Sequence, residues 1–547
     1  MPKILTPRLV SFEKDLGVNI TATVRPYLKD RSSLKTVKKQ IENLVEAGVR
    51  IFRLNLSHYE PEGKRQGLGK IKYNNRWQQL IRCIDRLSHE FYENVYIMLD
   101  TAGPEFRFHP TSDLKKKVGE SLTLTADTQT TCDIFIEMPH GFSRFGDPTN
   151  KGIYFDDATS YGKVVEESAD GKTLAVEMVE PLDLTGGKLT KLNFPEFELV
   201  GISSLGREDR RHLAFFQSVL SGKRPVDIHF VAQSFVRKAT DIDVLYQELG
   251  QGCTGEIPLI VPKIETALAV KNLEEIVSHE HVAGIMIARG DLGNELPREK
   301  LGSIQTVIIK KSHDYMKPVL IATEVYGSMG EPPFPRRPTR GEVLDVRHAL
   351  LAGVDGFVFT GETASRGRDP ETPVRFLVEQ ARVDEEDIVS HNVWRGERDA
   401  RRERMEDQYK KLLDGDSDKK YPLQTLPELS QIDWAVGAVY RANNRKAMGI
   451  FPVTETGTTV RNLAHFLPHR PIFALSHSSR ILAQVALHRG AHPVKLDQKI
   501  QDLNDLRTLV IDVMIKFDIG EVGEQALATL PFQNQPGMTT LTLITRP

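Results

Sequence analysis

Short apolar runs recur through the first two thirds of the chain, and most are followed by a segment with helical spacing of its apolar positions. Eight of these runs read as strands: Ile20–Val24, Arg50–Asn55, Val95–Asp100, Asp227–Ala232, Pro258–Lys263, Val282–Ala288, Pro318–Thr323 and Asp355–Thr360. Near-continuous apolar runs mark strands covered on both faces, as in a parallel sheet. Segments such as LKTVKKQIENLVEAG and DIDVLYQELG supply the intervening helices. Eight β/α alternations fit a closed (β/α)8 TIM barrel of the α/β class better than an open sheet.

The rhythm breaks between the third and fourth strands. Residues 105–199 carry short alternating runs (SLTLTA, DIFIEM, GIYFDD, YGKVVEE, TLAVEMVEP) with turn signals at 169–171 and 185–187. Alternation of period two with glycine turns predicts a small inserted β-barrel domain, placed to close over the barrel mouth as a lid. The barrel therefore comprises 1–104 and 200–383. A charged linker or helix follows over 384–421, expected to face solvent. A second α/β alternation fills 422–547, with strands at Ala447–Phe451, Pro471–Leu475, His492–Lys495 and Thr540–Thr545.

Composition narrows the function classes. The 547 residues suffice for roughly three domains. A net charge of -2 gives no reason to expect nucleic acid or an anionic membrane as partner. The three cysteines, Cys83, Cys132 and Cys253, are far apart and odd in number, which argues for a reducing, cytoplasmic setting over a disulfide framework. No apolar run is long enough to span a bilayer, and the N-terminus lacks the apolar core of a secretory signal.

In such a barrel the reactive side chains belong at the C-terminal strand ends. The second strand ends RLNLSH, so Arg53, Asn55 and Ser57 share one face if the extended backbone persists. The third ends at Asp100 and Thr101, with Glu105 and Arg107 just beyond. Asn55, Ser57, Asp100 and Thr101 offer oxygens to a hard cation, and the two arginines suit a phosphoryl group. The fifth strand ends Lys263-Ile-Glu265, and the sixth leads into Arg289-Gly290-Asp291. Two carboxylates from neighbouring strands can share one divalent ion, with Lys263 beside it. Each piece alone is ordinary, since a Lys-x-Glu is usually a surface ion pair and a Gly-Asp usually a turn. Five of the eight ends carrying compatible groups together is not required by a purely structural barrel.

These residues carry a close resemblance to the pyruvate kinase family. RLNLSH resembles the family's RLNFSH, DTAGPEFR its DTKGPEIR, SFVRKATDI its SFIRKASDV, and IMIARGDLGNELP its IMVARGDLGIEIP. VPKIET, KPVLIATE, PTRGEVLDV and FTGETA follow in family order. The resemblance implies phosphoenolpyruvate and ADP as substrates, Mg2+ or Mn2+ and K+ as cofactors, and a homotetramer. It implies that Lys263 stabilises the phosphoryl group in transit, with Arg53, Arg107 and Thr323 also catalytic. Glu265 and Asp291 would hold the divalent ion, and Asn55, Ser57, Asp100 and Thr101 the K+, with Glu105 marking K+ dependence. Arg289, Gly290, Asp291, Thr323 and Thr360 would line the enolpyruvate pocket. Pro26, Arg53, Asn55, Arg107, Asp157 and Lys191 would meet the nucleotide.

The chain also departs from the family pattern. Arg25 replaces a glycine near the nucleotide, Ala102 replaces a lysine, and Glu324 and Tyr326 replace residues beside Thr323. The loop Thr454-Glu455-Thr456-Gly457-Thr458-Thr459 resembles the family's effector-phosphate loop, but Glu455 opposes a phosphate by like charge. Activation by fructose 1,6-bisphosphate is therefore not expected. Two alternatives stay open: a paralogue with altered substrate or acceptor, and a non-catalytic binding protein on the same scaffold.

Overall fold

The computed structural model describes residues 2–4, 18–24, 34–58, 70–89, 95–104, 106–108, 110, 112–127, 130, 132–136, 142, 147–156, 159–186, 190–194, 203–220, 226–251, 256–330, 332–333, 335–365, 369–391, 393–413, 429–500, 502–531 and 539–547. In chain order its strands are β1 (Asn19–Thr23), β2 (Ile51–Asn55) and β3 (Tyr96–Asp100); then β4 (Phe106–Phe108), β5 (Leu114–Lys116), β6 (Ser121–Thr125), β7 (Ile134–Phe135), β8 (Gly152–Phe155), β9 (Ser160–Glu167), β10 (Thr173–Met178), β11 (Leu182–Leu184) and β12 (Thr190–Asn193). They continue as β13 (Phe230–Gln233), β14 (Leu259–Ile264), β15 (Ile285–Ala288), β16 (Val319–Ala322) and β17 (Gly356–Phe359), and end with β18 (Ile450–Pro452), β19 (Ile472–Ser476), β20 (Ala491–Lys495), β21 (Gln525–Pro531) and β22 (Thr539–Thr545).

Eight parallel strands close a barrel in the order β1-β17-β16-β15-β14-β13-β3-β2. Nearly every barrel-strand residue is buried, because helices cover the outside and side chains fill the inside. The outer core packs Phe52, Leu54, Trp77, Ile97, Ile287 and Phe357 against the helices. The lower interior is filled by Ile51, Met98, Phe230, Val261, Met286 and Leu320, joined by Ala486 and Leu487 from the C-terminal domain. Asn19 Nδ2 donates to the Ala486 carbonyl at 2.6 Å. The C-terminal domain thus plugs the N-terminal end of the barrel and leaves the opposite mouth for chemistry.

The insertion forms a seven-stranded sheet, β4-β12-β8-β9-β10-β6-β7, curled as a half-barrel, beside a two-stranded ribbon of β11 and β5. Alternating burial along β9 and β10 puts Val164, Leu174, Val176 and Met178 into its own core. The C-terminal sheet runs β20-β19-β18-β21-β22, and its first four strands are parallel. Sequence patterning missed β21 (QALATLP), whose small residues gave no strong strand signal; it pairs with β22 antiparallel.

The stretch expected as a solvated linker or helix is helical over 393–413, but not all of it faces solvent. Residues 393–413 form a helix that buries Trp394, Arg401 and Met405 between the barrel and the C-terminal domain. Arg401 donates to the His465 carbonyl at 2.7 Å and pairs with Glu397 at 3.0 Å. With a carboxylate one turn back on its own helix and acceptors at His465 and His313 on neighbouring elements, a long arginine lets a highly charged sequence sit in an interface.

Candidate active site at the barrel mouth

Strand β14 delivers the central pair. Lys263 and Glu265 lie two residues apart and both turn inward, almost wholly buried. Lys263 Nζ stands 3.2 Å from Glu265 Oε2 and 3.4 Å from Asp100 Oδ1, and it donates to Ser234 Oγ at 2.7 Å. Burial opposes the lysine's charge, but Asp100 and Glu265 outweigh it and raise its pKa above the ordinary value. Glu265 Oε1 accepts from the Phe235 backbone amide at 2.6 Å, whereas its Oε2 is buried and accepts no hydrogen bond. Burial, opposed by Lys263 and abetted by Asp291, pushes the Glu265 carboxyl up to about 7.

Asp100, at the end of β3, is the other anchor. Its Oδ2 is paired with Arg53 Nε and its Oδ1 accepts from Ser234 Oγ at 3.2 Å. Burial works against its ionisation, yet Arg53 and Lys263 hold its pKa below the usual range. Arg53 also donates to Thr23 Oγ1 at 2.7 Å. Strand β2 stops at Asn55 and Leu56–His58 form a tight turn, so the extended backbone expected through Ser57 does not persist. Ser57 returns to Asn55 through the turn: its N and Oγ donate to Asn55 Oδ1 at 3.0 and 2.8 Å. Thr101 Oγ1 accepts from Ser234 N at 3.0 Å, and its carbonyl from Ser234 Oγ at 2.7 Å.

After β15 the chain enters a short helix at Arg289, carrying Gly290 and Asp291. The Arg289 guanidinium is turned back into the protein. It donates twice to the Thr323 carbonyl, at 3.2 and 2.8 Å, and pairs with Asp345 at 2.6 Å. A Cβ on Gly290 would lie 2.9 Å from Thr323 Cγ2, so only glycine allows this approach. Thr323 itself has φ 73°, unusual for a β-branched residue, and Glu324 and Tyr326 are also left-handed at 57° and 51°. Thr360 stands at the end of β17, half-buried, with its carbonyl accepting from Ala364 at 2.9 Å.

The insertion reaches this mouth through β12. Lys191 Nζ lies 3.5 Å from Asp291 Oδ1, and the Asn193 amide hydrogen-bonds Glu295. Burial raises the Glu295 carboxyl to about 7 against a hydrogen bond from Ala267, with Asp291 reinforcing it. Arg107 pairs with Lys191 in the β4–β12 register. Arg25, Pro26, Glu105 and Asp157 lie outside the described residues.

Sequence reasoning gave no role to Ser234, the first residue of SFVRKATDI, which joins Asp100, Thr101 and Lys263. It also missed Asp209, whose carboxylate accepts from the amides of Ala102, Gly103 and Gly206 at 2.7, 3.1 and 3.0 Å and so shapes the turn after β3. Asp345, within PTRGEVLDV, had no assigned role and pairs with Arg289.

A family model for the pyruvate kinase barrel domain matches residues 17–374, and one for the pyruvate kinase alpha/beta domain matches residues 433–544. The chain belongs to the pyruvate kinase family. Among curated relatives, the pyruvate kinase of Naumovozyma castellii is 30% identical over 506 residues, covering 89% of this chain and 87% of the relative. Pyruvate kinase 1 of Saccharomyces cerevisiae is 29% identical over 518 residues, covering 92% and 90%. A crystal structure of a pyruvate kinase from Cryptosporidium parvum superposes with a TM-score of 0.78 at 23% identity, covering 98% of each chain, a likeness of fold.

The two departures beside Thr323 differ in their surroundings. Tyr326 is fully buried away from the mouth; its hydroxyl donates to Gln380 at 2.6 Å, and its ring meets Phe376 edge-on. Its suggested influence on the substrate therefore has no direct route. Glu324 is exposed beside Thr323. In the C-terminal domain, Thr454 Oγ1 accepts from Gly457 N at 2.8 Å, Thr456 Oγ donates to Thr458 Oγ at 3.0 Å, and the next helix opens at Thr458-Thr459. Glu455 pairs with Lys499 at 3.1 Å.

Proposed function

We propose that this protein transfers the phosphoryl group of phosphoenolpyruvate to ADP, giving pyruvate and ATP. The observation that carries the proposal is the convergence of the Lys263 ammonium on the unbonded Glu265 Oε2, with Asp291 close enough to raise the Glu265 pKa. Glu265 Oε2 faces the Lys263 ammonium but accepts no hydrogen bond, which leaves it capacity to ligate a divalent cation. Glu265 and Asp291 fit Mg2+ or Mn2+ on that ground. Substrate oxygens and water would complete the shell of the ion. When bound, the divalent ion supplies charge neutralisation to the phosphate and carboxylate oxygens.

In this reading Lys263 holds its proton and faces the phosphoryl group as it leaves the enol oxygen for the β-phosphate of ADP. Positioning and charge neutralisation are what phosphoryl transfer chiefly requires. The enolate then takes a proton at its terminal carbon to become pyruvate. Thr323, fixed through its carbonyl by Arg289, is assigned to that side of the substrate, and Gly290, Asp291 and Thr360 to the substrate's oxygens. Arg53, Arg107, Lys191 and the insertion contact the phosphates. Asn55, Ser57, Asp100 and Thr101 would hold K+, with Asp100 also paired to Arg53. A cytoplasmic homotetramer without bisphosphate activation completes the proposal; Glu455 beside the effector loop supports the last point.

A lactate-dehydrogenase-coupled assay with phosphoenolpyruvate, ADP, Mg2+ and K+ tests the proposal directly, and absence of NADH oxidation refutes it. The reading of altered substrate or acceptor rests on Glu324 at the mouth. Metal-dependent exchange of pyruvate methyl protons without phosphoryl transfer would favour it, and loss of both activities would leave the binding-protein reading.

A further inference from the structure

Side chains of strand β12 alternate between two destinations. Leu192, and Phe194 just beyond the strand, turn into the insertion's own core, where Phe194 meets Phe106 edge-on with ring centroids 5.1 Å apart. Lys191 and Asn193 turn the other way, toward the short helix Arg289–Glu295 at the barrel mouth. Lys191 meets Asp291 there and Asn193 meets Glu295. Asn193 Oδ1 is buried and accepts no hydrogen bond among the described residues, so the amide nitrogen is the donor to the Glu295 carboxylate.

The two contacts match in spacing. Residues i and i+2 of a strand lie about 6.8 Å apart on one face, and residues i and i+4 of a helix rise about 6 Å on one face. A strand laid along a helix therefore makes two rungs side by side. The rungs differ in chemistry. The Lys191 and Asp291 side chains are 28% and 25% exposed, a charge pair that an incoming cation can reach. Asn193 is 7% exposed, and its partner Glu295 also accepts from the backbone amide of Ala267, which opens the helix just after Glu265. Glu295 thus joins the insertion, the segment that follows Glu265 and the helix that carries Asp291.

We propose that Glu295 and Asn193 are positioning residues: their contact holds β12 in register over the mouth, so that Lys191 is parked on Asp291 until a divalent cation takes that carboxylate. The inference rests on the assignment of Glu265 and Asp291 to such an ion. Lys191 then competes with the ion for Asp291, and the Asn193–Glu295 contact sets how strongly, because a tethered cation acts at a high effective concentration. Displacement of the ammonium frees it for the substrate phosphates, so ion binding and presentation of Lys191 are linked.

The test is Mn2+ binding to the intact protein without substrates, followed by electron paramagnetic resonance at about pH 8, where Glu295 is mostly ionised. Lys191→Met removes the competing charge and should tighten Mn2+ binding about threefold, the scale of a partly exposed ion pair. Asn193→Ala loosens the tether and should tighten it about twofold, yet change nothing when added to Lys191→Met. Plain destabilisation would weaken binding in both backgrounds, so the sign and the non-additivity separate positioning from a structural role. Asn193→Ser, which keeps a donor, guards against misfolding: it should melt like the wild type and bind Mn2+ with an affinity between those of the wild type and Asn193→Ala. Unchanged or weaker Mn2+ binding in Asn193→Ala, or an equal shift in the Lys191→Met background, would overturn the proposal. Neither readout requires phosphoryl transfer, so an inactive enzyme that gave the expected cycle would refute the reaction and keep the coupling. A wild type without saturable Mn2+ binding would refute the ion assignment and the coupling with it.

Discussion

Replacing Lys263 by methionine removes the ammonium while keeping most of the side chain's volume. In the wild type that ammonium lies 3.2 Å from Glu265 and 3.4 Å from Asp100, all three groups nearly solvent-free. At an effective dielectric of about 20, each attraction is of order 5 kcal/mol before desolvation is subtracted. Breaking a buried pair typically costs about 3–5 kcal/mol of stability, so Lys263→Met should melt well below the wild type. Glu265, deprived of its cation, titrates higher than its present value of about 7, and divalent-ion binding weakens at neutral pH. Raising the pH should restore Mn2+ binding, followed by electron paramagnetic resonance, because the carboxylate ionises again. Turnover should not recover with it. Loss of one preorganised electrostatic contact to a transition state costs about 10²–10³ in rate, and a full charge at least that. The coupled assay should therefore show a fall in kcat of about a thousandfold or more at either pH, in protein shown to be folded at the assay temperature. A folded variant turning over within about tenfold of the wild type would remove Lys263 from the chemistry.

Gly290→Ala places a methyl 2.9 Å from Thr323 Cγ2 and should lower kcat at least about tenfold. Adding Thr323→Ser, which deletes that methyl, should recover part of the loss; strict additivity in this double-mutant cycle would refute the contact. Tyr326→Phe leaves Gln380 Oε1 without its donor and should cost about 1–3 kcal/mol in denaturant melts, with KM for both substrates unchanged. A shifted KM would return Tyr326 to the substrate question. Glu295 binds its proton more tightly folded than unfolded, so its contribution to stability falls as pH rises from the ordinary carboxyl value of 4.5 to about 7. Each unit of that shift is worth about 1.4 kcal/mol. Glu295→Gln cannot ionise, so its melting temperature should decline less over this pH window; parallel wild-type and variant profiles would contradict the shift.

Hydrophobic period and turn chemistry were enough to specify a barrel of eight strands, an inserted β-domain and a C-terminal α/β sheet, because burial on two faces or one leaves different repeats in the sequence. Motifs at the strand ends likewise named Lys263, Glu265, Asp100 and Asp291, since ionisable residues closing apolar strands stand out locally. Partnership was decided only in three dimensions. Ser234 and Asp209 are ordinary residues in the chain, and nothing local says that one bridges Asp100 to Lys263 or that the other holds the turn after β3. Arg289 is expected at the enolpyruvate pocket through its backbone amide, and only the tertiary structure gives its guanidinium to Thr323 and Asp345. The charged stretch before the C-terminal domain reads as solvated because composition cannot reveal that Arg401 will find the His465 carbonyl and His313 Nδ1 across an interface. Periodicity records how much of a side chain is covered, so it reports the fold; the identity of the covering group depends on residues tens to hundreds of positions away, so the site's wiring came from tertiary structure alone.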